Sequence, residues 1–334
     1  MSCAFPVTAY QPDPGAPLVF KNNGEFSNAK RIFIPCGRCK YCRLDYSQAW
    51  AVRITHEDQI HIENGKRSFF LTLTYDEKHL PENGFLRYKD FQKFLKRLRE
   101  REAPNRIRYV VAGEYGEKTG RPHYHAILFG MDELIDAEFI GNSQKNDKPM
   151  YKSGYLDDLW QQGFVTVQSV TPQSAGYVAS YALKDTKTAY KEREAKTVRN
   201  KEGDLESYPK PFLRMSLKPA IGIPFCEKYH KDGFSGDTIM YRGKQYPVPE
   251  VYIRWLSKFD PDEADRLRQI KQDYMATKEA RKEKTPSRLK AKAICRDARL
   301  QAGRDGFMPH AAFSDPRYCV TGMQLAASFS EIEW

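Results

Sequence analysis

Apolar and polar residues alternate along the central part of the chain with the periods of regular secondary structure. Residues 69–75, Phe-Phe-Leu-Thr-Leu-Thr-Tyr, are rich in aromatic and β-branched side chains and predict a buried strand. Apolar residues recur at helical spacing over 44–62 and over 91–98, which predicts two helices with one apolar face each. Asp90 stands directly before the second run, and we expect it to cap that helix.

Two further strand-like runs, 107–114 and 123–129, follow the second helix. The connector between them contains Gly116, Gly120 and Pro122. Glycine and proline are typical of turns, so the two runs predict an antiparallel hairpin.

The next residues extend this pattern. We interpret 131–162 as an insertion with a short helix around Trp160. A strand is expected over 164–167, and a helix from Pro172 through Lys184. The order β, α, β, β, β, α predicts an α+β fold in which helices pack on one face of a mainly antiparallel sheet.

Beyond residue 185 the chain becomes more polar. We interpret 186–212 as a linker or mobile loop and 213–256 as a second ordered stretch, with a hairpin over 238–248. Residues 260–304 are highly charged, with apolar residues at helical spacing in their first half.

Composition indicates the kind of partner. The 54 Lys and Arg residues exceed the 43 Asp and Glu residues, for a net charge of +11, which favours a polyanion such as nucleic acid. An anionic membrane is the weaker choice, because no run of 18 or more apolar residues occurs. The N-terminus lacks a signal-peptide pattern, and three of the seven cysteines are clustered rather than spread out. We therefore expect a cytoplasmic protein with reduced thiols.

His123 and His125 are two residues apart on the second strand of the expected hairpin, so their side chains point to the same face. Pairing Tyr115 with Pro122 puts Glu114 opposite His123, with Cβ atoms about 4.5–5.5 Å apart. Two imidazoles and a carboxylate on one sheet face suit a divalent metal with open coordination positions, which acts as a Lewis acid on a phosphodiester. The alternatives are that the histidines cap the sheet or contact DNA phosphate.

Tyr177, Tyr181 and Lys184 follow at positions i, i+4 and i+7 and share one helix face. Two tyrosines at this spacing are usual in core packing. Beside a candidate metal site they are also candidate nucleophiles. A phenol has an ordinary pKa of about 10, so attack at neutral pH needs assistance. The metal would stabilise the leaving 3′ oxygen, and Lys184 would hold a phosphate or favour the phenolate.

Three motifs occur in this order: Phe-Leu-Thr-Leu-Thr-Tyr (70–75), Arg-Pro-His-Tyr-His-Ala-Ile-Leu-Phe-Gly (121–130) and Gly-Tyr-Val-Ala-Ser-Tyr-Ala-Leu-Lys-Asp (176–185). They resemble the three motifs of the HUH endonucleases, the rolling-circle replication initiators. The chain is similar in particular to initiators of the gokushovirus branch of the microviruses, which are small single-stranded DNA bacteriophages. The resemblance extends to 36–43 and 113–118, covers 36–185 well and the C-terminal part loosely.

The resemblance implies a central antiparallel sheet flanked by helices, of the RRM-like palm type. It implies that His123 and His125 bind Mg²⁺ or Mn²⁺ with Glu114 as the acidic third ligand. It also implies that Tyr177 and Tyr181 are paired nucleophiles. In such initiators one tyrosine cuts the single-stranded origin and becomes linked to the 5′ phosphate. The other attacks the regenerated origin, and the freed 3′ hydroxyl seals a circle.

The chain departs from its relatives between the two tyrosines. Ser180 occupies a position where relatives often have lysine, which leaves Lys184 as the lysine of this helix segment. The spacing Tyr181-x-x-Lys184 matches the pattern of initiators with one tyrosine. We therefore expect Tyr181 to make the first cut.

Cys36-x-x-Cys39-x-x-Cys42 supplies three thiolates at a spacing common in structural zinc sites. Cys3 is a candidate fourth ligand. The alternative fourth ligands are His56 and His61. The residues also allow three reduced cysteines packed at the start of a helix, or an iron–sulfur cluster, although nothing else indicates redox chemistry.

A dense basic segment, 277–304, lies near the end of the chain. Such runs are usually solvated helix faces, but in a DNA-nicking protein they favour neutralisation of the DNA backbone. We divide the chain into an N-terminal segment with the cysteine motif and a helix (1–66), an HUH nicking domain (67–186) and a basic C-terminal region that binds DNA (187–334).

The sequence therefore predicts a rolling-circle initiator that acts on single-stranded origin DNA in the cytoplasm of a bacterial host. No Gly-x-x-x-x-Gly-Lys-[Ser/Thr] loop occurs in this sequence, so a helicase would come from the host's replication machinery. The alternatives are a relaxase or transposase with the same chemistry, or a single-stranded DNA-binding module without catalysis. Relaxases often have three histidines, and single-tyrosine transposases lack the pair Tyr177 and Tyr181.

Overall fold

The computed structural model describes residues 3–13, 16–20, 29–116, 119–143, 147–181, 197–199, 205–241 and 244–304. Contacts divide the chain into two compact units. One consists of Met1–Asp45 with Lys271–Trp334, and the other consists of Tyr46–Ile270. The three segments drawn on the sequence, with boundaries after residues 66 and 186, remain a prediction about domains.

The described residues form both strands and helices. The strands are β1 Val7–Gln11, β2 Lys30–Ile34, β3 Arg67–Tyr75, β4 Arg108–Tyr115, β5 Pro122–Met131, β6 Glu138–Asn142, β7 Pro149–Lys152, β8 Gly163–Ser169, β9 Thr197–Arg199, β10 Leu205–Ser207, β11 Phe212–Met215, β12 Phe234–Ser235, β13 Thr238–Tyr241 and β14 Lys244–Pro247. The helices are α1 Lys40–Glu63, α2 Tyr88–Arg101, α3 Gly154–Trp160, α4 Pro172–Tyr181, α5 Ile223–Gly233, α6 Glu250–Phe259, α7 Pro261–Ala276, α8 Lys278–Lys282 and α9 Pro286–Arg304.

The larger unit is built on a seven-stranded antiparallel sheet with the strand order β11, β4, β5, β3, β8, β7, β6. Strands β4 and β5 form the predicted hairpin. Tyr115 pairs with Pro122 and Glu114 pairs with His123, as the sequence predicts. The predicted α+β class, with a central antiparallel sheet flanked by helices, is confirmed.

Helices cover both faces of this sheet. Leu71 and Tyr124 belong to a core that includes residues of α2 and α3. Phe70 and Ile127 belong to a second core, with residues of α1 and α4. The expectation of helices on one face only is wrong, because residues 126–131 are all buried and β5 therefore needs a layer on each side.

Some expectations about individual elements are also wrong. Helix α2 begins two residues before Asp90 and has no side-chain cap; Asp90 accepts a hydrogen bond from the Tyr75 hydroxyl at 2.9 Å. Residues 131–162 hold the expected short helix but also form β6 and β7 at one edge of the sheet. The end of 186–212, expected to be a linker, begins β11 at the other edge.

A third core completes the larger unit. It packs α5 and α6 against the three-stranded sheet β12–β13–β14, around the fully buried Tyr252. The predicted hairpin over 238–248 is confirmed, since Thr238 pairs with Pro247.

A buried ion pair fastens α1 to the sheet in the larger unit. Glu57 on α1 is 1% exposed, and its Oε1 lies 2.5 Å from the Nε of Arg108 on β4. Its other oxygen accepts from the backbone N–H of Gly222, directly before α5, at 2.7 Å. Burial acts to raise the pKa of Glu57, but the hydrogen bond from His61 and the charge of Arg108 together lower it. One carboxylate thus connects three parts of the unit.

In the smaller unit, β1 and β2 form a two-stranded antiparallel sheet in which Val7 pairs with Ile34. The first turns of α1 contact α9 through polar side chains. The Tyr41 hydroxyl donates to the Asp297 carboxylate at 2.8 Å. Among the described residues, no helix is both long enough and apolar enough to cross a membrane.

Replacing Glu57 by leucine should lower the free energy of unfolding by about 3–5 kcal/mol, because Arg108 would remain buried without its charge partner. Urea denaturation followed by circular dichroism measures this. The control is Glu63→Leu, which removes a carboxylate paired with Lys228 at the surface at 2.8 Å and should cost under about 1 kcal/mol. Equal losses in the two variants would contradict the anchoring role.

Candidate metal centre

The alternation of side chains along β5 puts two histidines on one face of the sheet. Tyr124 lies in the core with α2 and α3 and is fully buried. His123 and His125, on either side of it, therefore face the layer of α1 and α4. Glu114 on β4 stands directly opposite His123. The pairing of two strands is enough to gather the three side chains.

The three side chains meet at one carboxylate oxygen. Glu114 Oε1 lies 2.9 Å from His123 Nε2 and 3.1 Å from His125 Nε2. One ligand atom from each residue lies within 4.8 Å of the others. Glu114 and His125 are buried, and His123 is half-buried.

Hydrogen bonds on the far side of each ring constrain which nitrogen carries the proton. His123 Nδ1 lies 3.2 Å from the carbonyl oxygen of Arg121, which can only accept, so Nδ1 is the donor. In the neutral ring Nε2 is then an acceptor, and it faces the carboxylate of Glu114, which is also an acceptor. Two acceptors at 2.9 Å require a cation between them. A proton or a metal ion meets this requirement, and the donor set therefore fits a divalent metal.

The charge of Glu114 is maintained despite its burial. Burial acts to raise the pKa of the carboxyl, but hydrogen bonds from His123 and His125 and the charges of these rings hold the pKa well below its usual range. The group is therefore a carboxylate at neutral pH, as a metal ligand must be.

Helix α4 brings a tyrosine to this centre. The Tyr177 ring lies 5.2 Å from the His125 ring, at 73° to it, and 6.3 Å from the Phe70 ring. Phe70 is stacked on His125 at 5.7 Å. Tyr177 is half-buried. The structure thus brings Tyr177 together with all three predicted ligands.

The sequence of α4 explains this placement. Its first turn is closed by Thr171 and Ser174, whose side chains and backbone N–H groups exchange hydrogen bonds of 3.1 and 2.8 Å. Val178 and Ala179 are buried against the sheet. Ser47 on α1 donates to the Gly176 carbonyl at 2.8 Å, directly before Tyr177.

The other two predicted residues of this helix are less accessible. Tyr181 is the last residue of α4 for which the backbone is described, and its side chain lies outside the described part of the chain. Lys184 lies outside the described residues altogether. Their roles remain predictions.

Sequence reasoning missed the role of Thr72. Its Oγ1 lies 3.0 Å from His125 Nδ1, and it pairs with His125 across β3 and β5. Such a partner orients a ligating imidazole and leaves Nε2 toward the metal. Threonine at two alternate positions of an otherwise apolar strand was the available signal, since it places Thr72 and Thr74 on the histidine face.

The structure also brings the predicted cysteines together. Cys3, Cys36, Cys39 and Cys42 offer Sγ atoms within 4.8 Å of one another, in the smaller unit. We call this set the four-cysteine cluster. The alternative fourth ligands, His56 and His61, belong to the larger unit and have other partners: His56 hydrogen bonds to Tyr252 at 3.0 Å, and His61 pairs with Glu57 at 3.4 Å.

The sequence is also similar to those of known proteins. The family described as replication-associated protein ORF2 matches residues 68–186. The replication-associated protein VP4 of Bdellovibrio phage phiMH2K is 33% identical over 294 residues, which cover 85% of this chain and 87% of that protein. The replication-associated protein ORF2 of Spiroplasma virus 4 is 31% identical over 283 residues, which cover 79% of this chain and 82% of that protein. No solved structure matches the chain.

The chain belongs to the replication-associated proteins of bacteriophages. Within them it groups with proteins of the microvirus type, and the replication-associated protein ORF4 of Chlamydia phage 1, 28% identical over 70% of this chain, is a further relative. The predicted resemblance is confirmed at the level of the family.

Replacing Thr72 by valine should weaken Mn²⁺ binding by about 10–100-fold, because it removes the hydrogen bond that orients His125 while keeping the shape of the side chain. Isothermal titration calorimetry measures the affinity, and circular dichroism checks the fold. Thr166→Val is the matched control, because Thr166 pairs with Thr72 from the neighbouring strand β8. Equal weakening in both variants would count against an orienting role.

Proposed function

We propose that the protein is a rolling-circle replication initiator that nicks and rejoins single-stranded DNA through a covalent bond between a tyrosine and a 5′ phosphate. One observation carries the proposal. The Tyr177 ring lies 5.2 Å from His125, and His125 shares the Glu114 carboxylate with His123. A phenol beside a donor set for a divalent metal supports phosphodiester chemistry.

Glu114, His123 and His125 would hold the metal, Mg²⁺ or Mn²⁺. When bound there, it supplies Lewis-acid chemistry that polarises a phosphate oxygen and stabilises the leaving 3′ oxygen. Thr72 and the Arg121 carbonyl keep the Nδ1 atoms of the histidines occupied, so Nε2 faces the centre.

In the cutting step the phenol oxygen attacks the phosphorus of the scissile phosphodiester. The bond between phosphorus and the tyrosine oxygen forms, and the bond from phosphorus to the 3′ oxygen breaks. The phenol loses its proton, and the 3′ oxygen leaves as a hydroxyl after gaining one. Because one phosphodiester replaces another, the energy of the bond is kept and rejoining needs no nucleotide cofactor.

In the rejoining step the second tyrosine cuts the regenerated origin in the same way. The freed 3′ hydroxyl then attacks the first phosphotyrosine, releases that tyrosine and closes a circle. The sequence motif assigns the first cut to Tyr181 and therefore the second to Tyr177. Lys184 would hold a phosphate near the pair.

An exposed aromatic residue supports a single-stranded substrate. Phe164 on β8 pairs with Thr74, and Thr74 pairs with His123, so all three side chains are on one face of the sheet. Phe164 is 50% exposed. At the usual strand spacing it stands about 10 Å from His123. Unpaired bases stack on such rings, whereas a duplex hides its base faces.

The names of the relatives place the proposed activity in phage DNA replication, which would take place in the cytoplasm of a bacterial host with the host's helicase and polymerase. The relaxase and transposase alternatives share the chemistry, and they are distinguished by whether circles are released. A binding module without catalysis would bind DNA and form no adduct.

The test of the nucleophiles uses a random library of labelled single-stranded oligonucleotides with Mn²⁺. Adducts that survive denaturing gel electrophoresis are recovered and sequenced. We expect adducts with the wild type and with the control Tyr151→Phe, and none with the double variant Tyr177→Phe/Tyr181→Phe, which lacks both attacking oxygens.

Tyr177→Phe alone should keep the adduct and lose the release of circles. His123→Ala, with its fold confirmed by circular dichroism, should lose adduct formation. Normal nicking by the double tyrosine variant would rule out the mechanism.

Replacing Phe164 by alanine should reduce affinity for a single-stranded oligothymidylate by about 5–150-fold, since stacking on one aromatic ring contributes about 1–3 kcal/mol. Fluorescence anisotropy measures the dissociation constant at fixed salt. Phe139→Ala is the matched control. Phe139 is also exposed, at 61%, but pairs with Tyr151 and through it with Val167, on the opposite face of the same sheet. Equal effects would remove Phe164 from the DNA surface.

A further inference from the structure

The four-cysteine cluster joins three pieces of chain in the smaller unit. Cys3 comes before β1, and Cys36 follows β2. Cys39 directly precedes α1, and Cys42 lies in the first turn of that helix. Cys3 is buried, and the other three are partly buried. Four thiols from separate segments therefore converge on a point away from bulk water.

The distances between the sulfur atoms match those around a single ion. Cys3 Sγ lies 3.5 Å from Cys36 Sγ and 3.8 Å from Cys39 Sγ. Cys36 Sγ lies 4.0 Å from Cys42 Sγ. Tetrahedral zinc with zinc–sulfur bonds of about 2.3 Å requires sulfur atoms about 3.8 Å apart. The three observed distances lie on both sides of this value.

Other arrangements of these cysteines do not fit. A disulfide needs sulfur atoms about 2.05 Å apart, and the cysteines are unpaired. In a multi-iron cluster the thiolates bind different iron atoms, so they would be spread more widely than around one ion.

Backbone N–H groups in the cluster point at sulfur. The N–H of Cys36 donates to Cys3 Sγ and that of Cys39 donates to Cys36 Sγ, both at 3.3 Å. Such donors stabilise negative charge on sulfur, because hydrogen bonds to a charged acceptor are stronger than those to a neutral one. The local backbone is therefore arranged for thiolates, the form that binds metal.

We propose that the four-cysteine cluster holds one structural zinc ion, which organises the smaller unit independently of the nicking centre. Zinc suits a site of four thiolates without an open position, which supports folding and not catalysis. Binding releases the thiol protons and ties β1, β2 and the start of α1 together.

The smaller unit has few other means of holding these segments. A two-stranded sheet such as β1–β2 is marginal in water by itself. The start of α1 also carries contacts to α9: Tyr41 bonds to Asp297 and to the Ala293 carbonyl, and Asp45 pairs with Arg296 at 3.0 Å. The ion thus fixes the helix start on which the basic helix α9 rests.

The test measures metal content of the full chain after dialysis against metal-free buffer, by mass spectrometry of the elements. We expect about one zinc per chain for a closed structural site. Cys36→Ser/Cys39→Ser should lose it. Cys295→Ser, a cysteine of α9 in the same unit, is the matched control and should retain it. Glu114→Ala/His123→Ala should also retain it, which separates this ion from any metal at the nicking centre.

A second measurement addresses variants that fail to fold. Cys39→His keeps a zinc ligand and should keep the ion. With cobalt in place of zinc, it should show weaker thiolate-to-cobalt charge-transfer absorption than the wild type, since one sulfur is lost. Absence of zinc from the wild type, iron in its place, or loss of zinc with Glu114→Ala/His123→Ala instead of the double cysteine variant would each overturn the proposal.

Discussion

The register between β4 and β5 is the constraint on which the rest of the nicking centre depends. A shift of one residue would turn His123 and His125 toward the core of α2 and α3 and would bring Tyr124 to the other face. The register is held by burial on both sides of β5 and by Tyr124, whose hydroxyl bonds to Tyr75 at 2.8 Å and to the Arg87 carbonyl at 2.8 Å. The apolar core thereby determines where the ligands stand.

The two layers of helices contribute differently to the centre. The layer of α2 and α3 supplies stability on the face away from the histidines. The layer of α1 and α4 supplies chemistry, because Tyr177 stands on it. Its position follows from α1, which is fixed to β4 by Glu57 and Arg108 and to α4 by Ser47 and Gly176. A buried charge pair far from the phosphate thus supports the placement of the tyrosine.

The elements near the site were predictable because their information is local. Alternation along 123–129 and the turn residues before it were enough to place Glu114 opposite His123. Strands β6, β7 and β11 were not predictable, since each has four or five residues and is defined by the neighbour that it pairs with. The role of Thr72 depends on the pairing of β3 with β5, which joins residues 53 apart in sequence.

In the proposed reaction two tyrosines of one helix would serve a single metal centre, and this imposes a movement. Positions four residues apart differ by about 6 Å along a helix axis. Tyr177 and Tyr181 therefore cannot both occupy the place beside His125 at one time. Between the two cuts either α4 or the DNA has to travel that distance. Since the start of α4 is tied to α1 through Gly176, the strand being copied is the more mobile partner, and its advance would set the order of cutting.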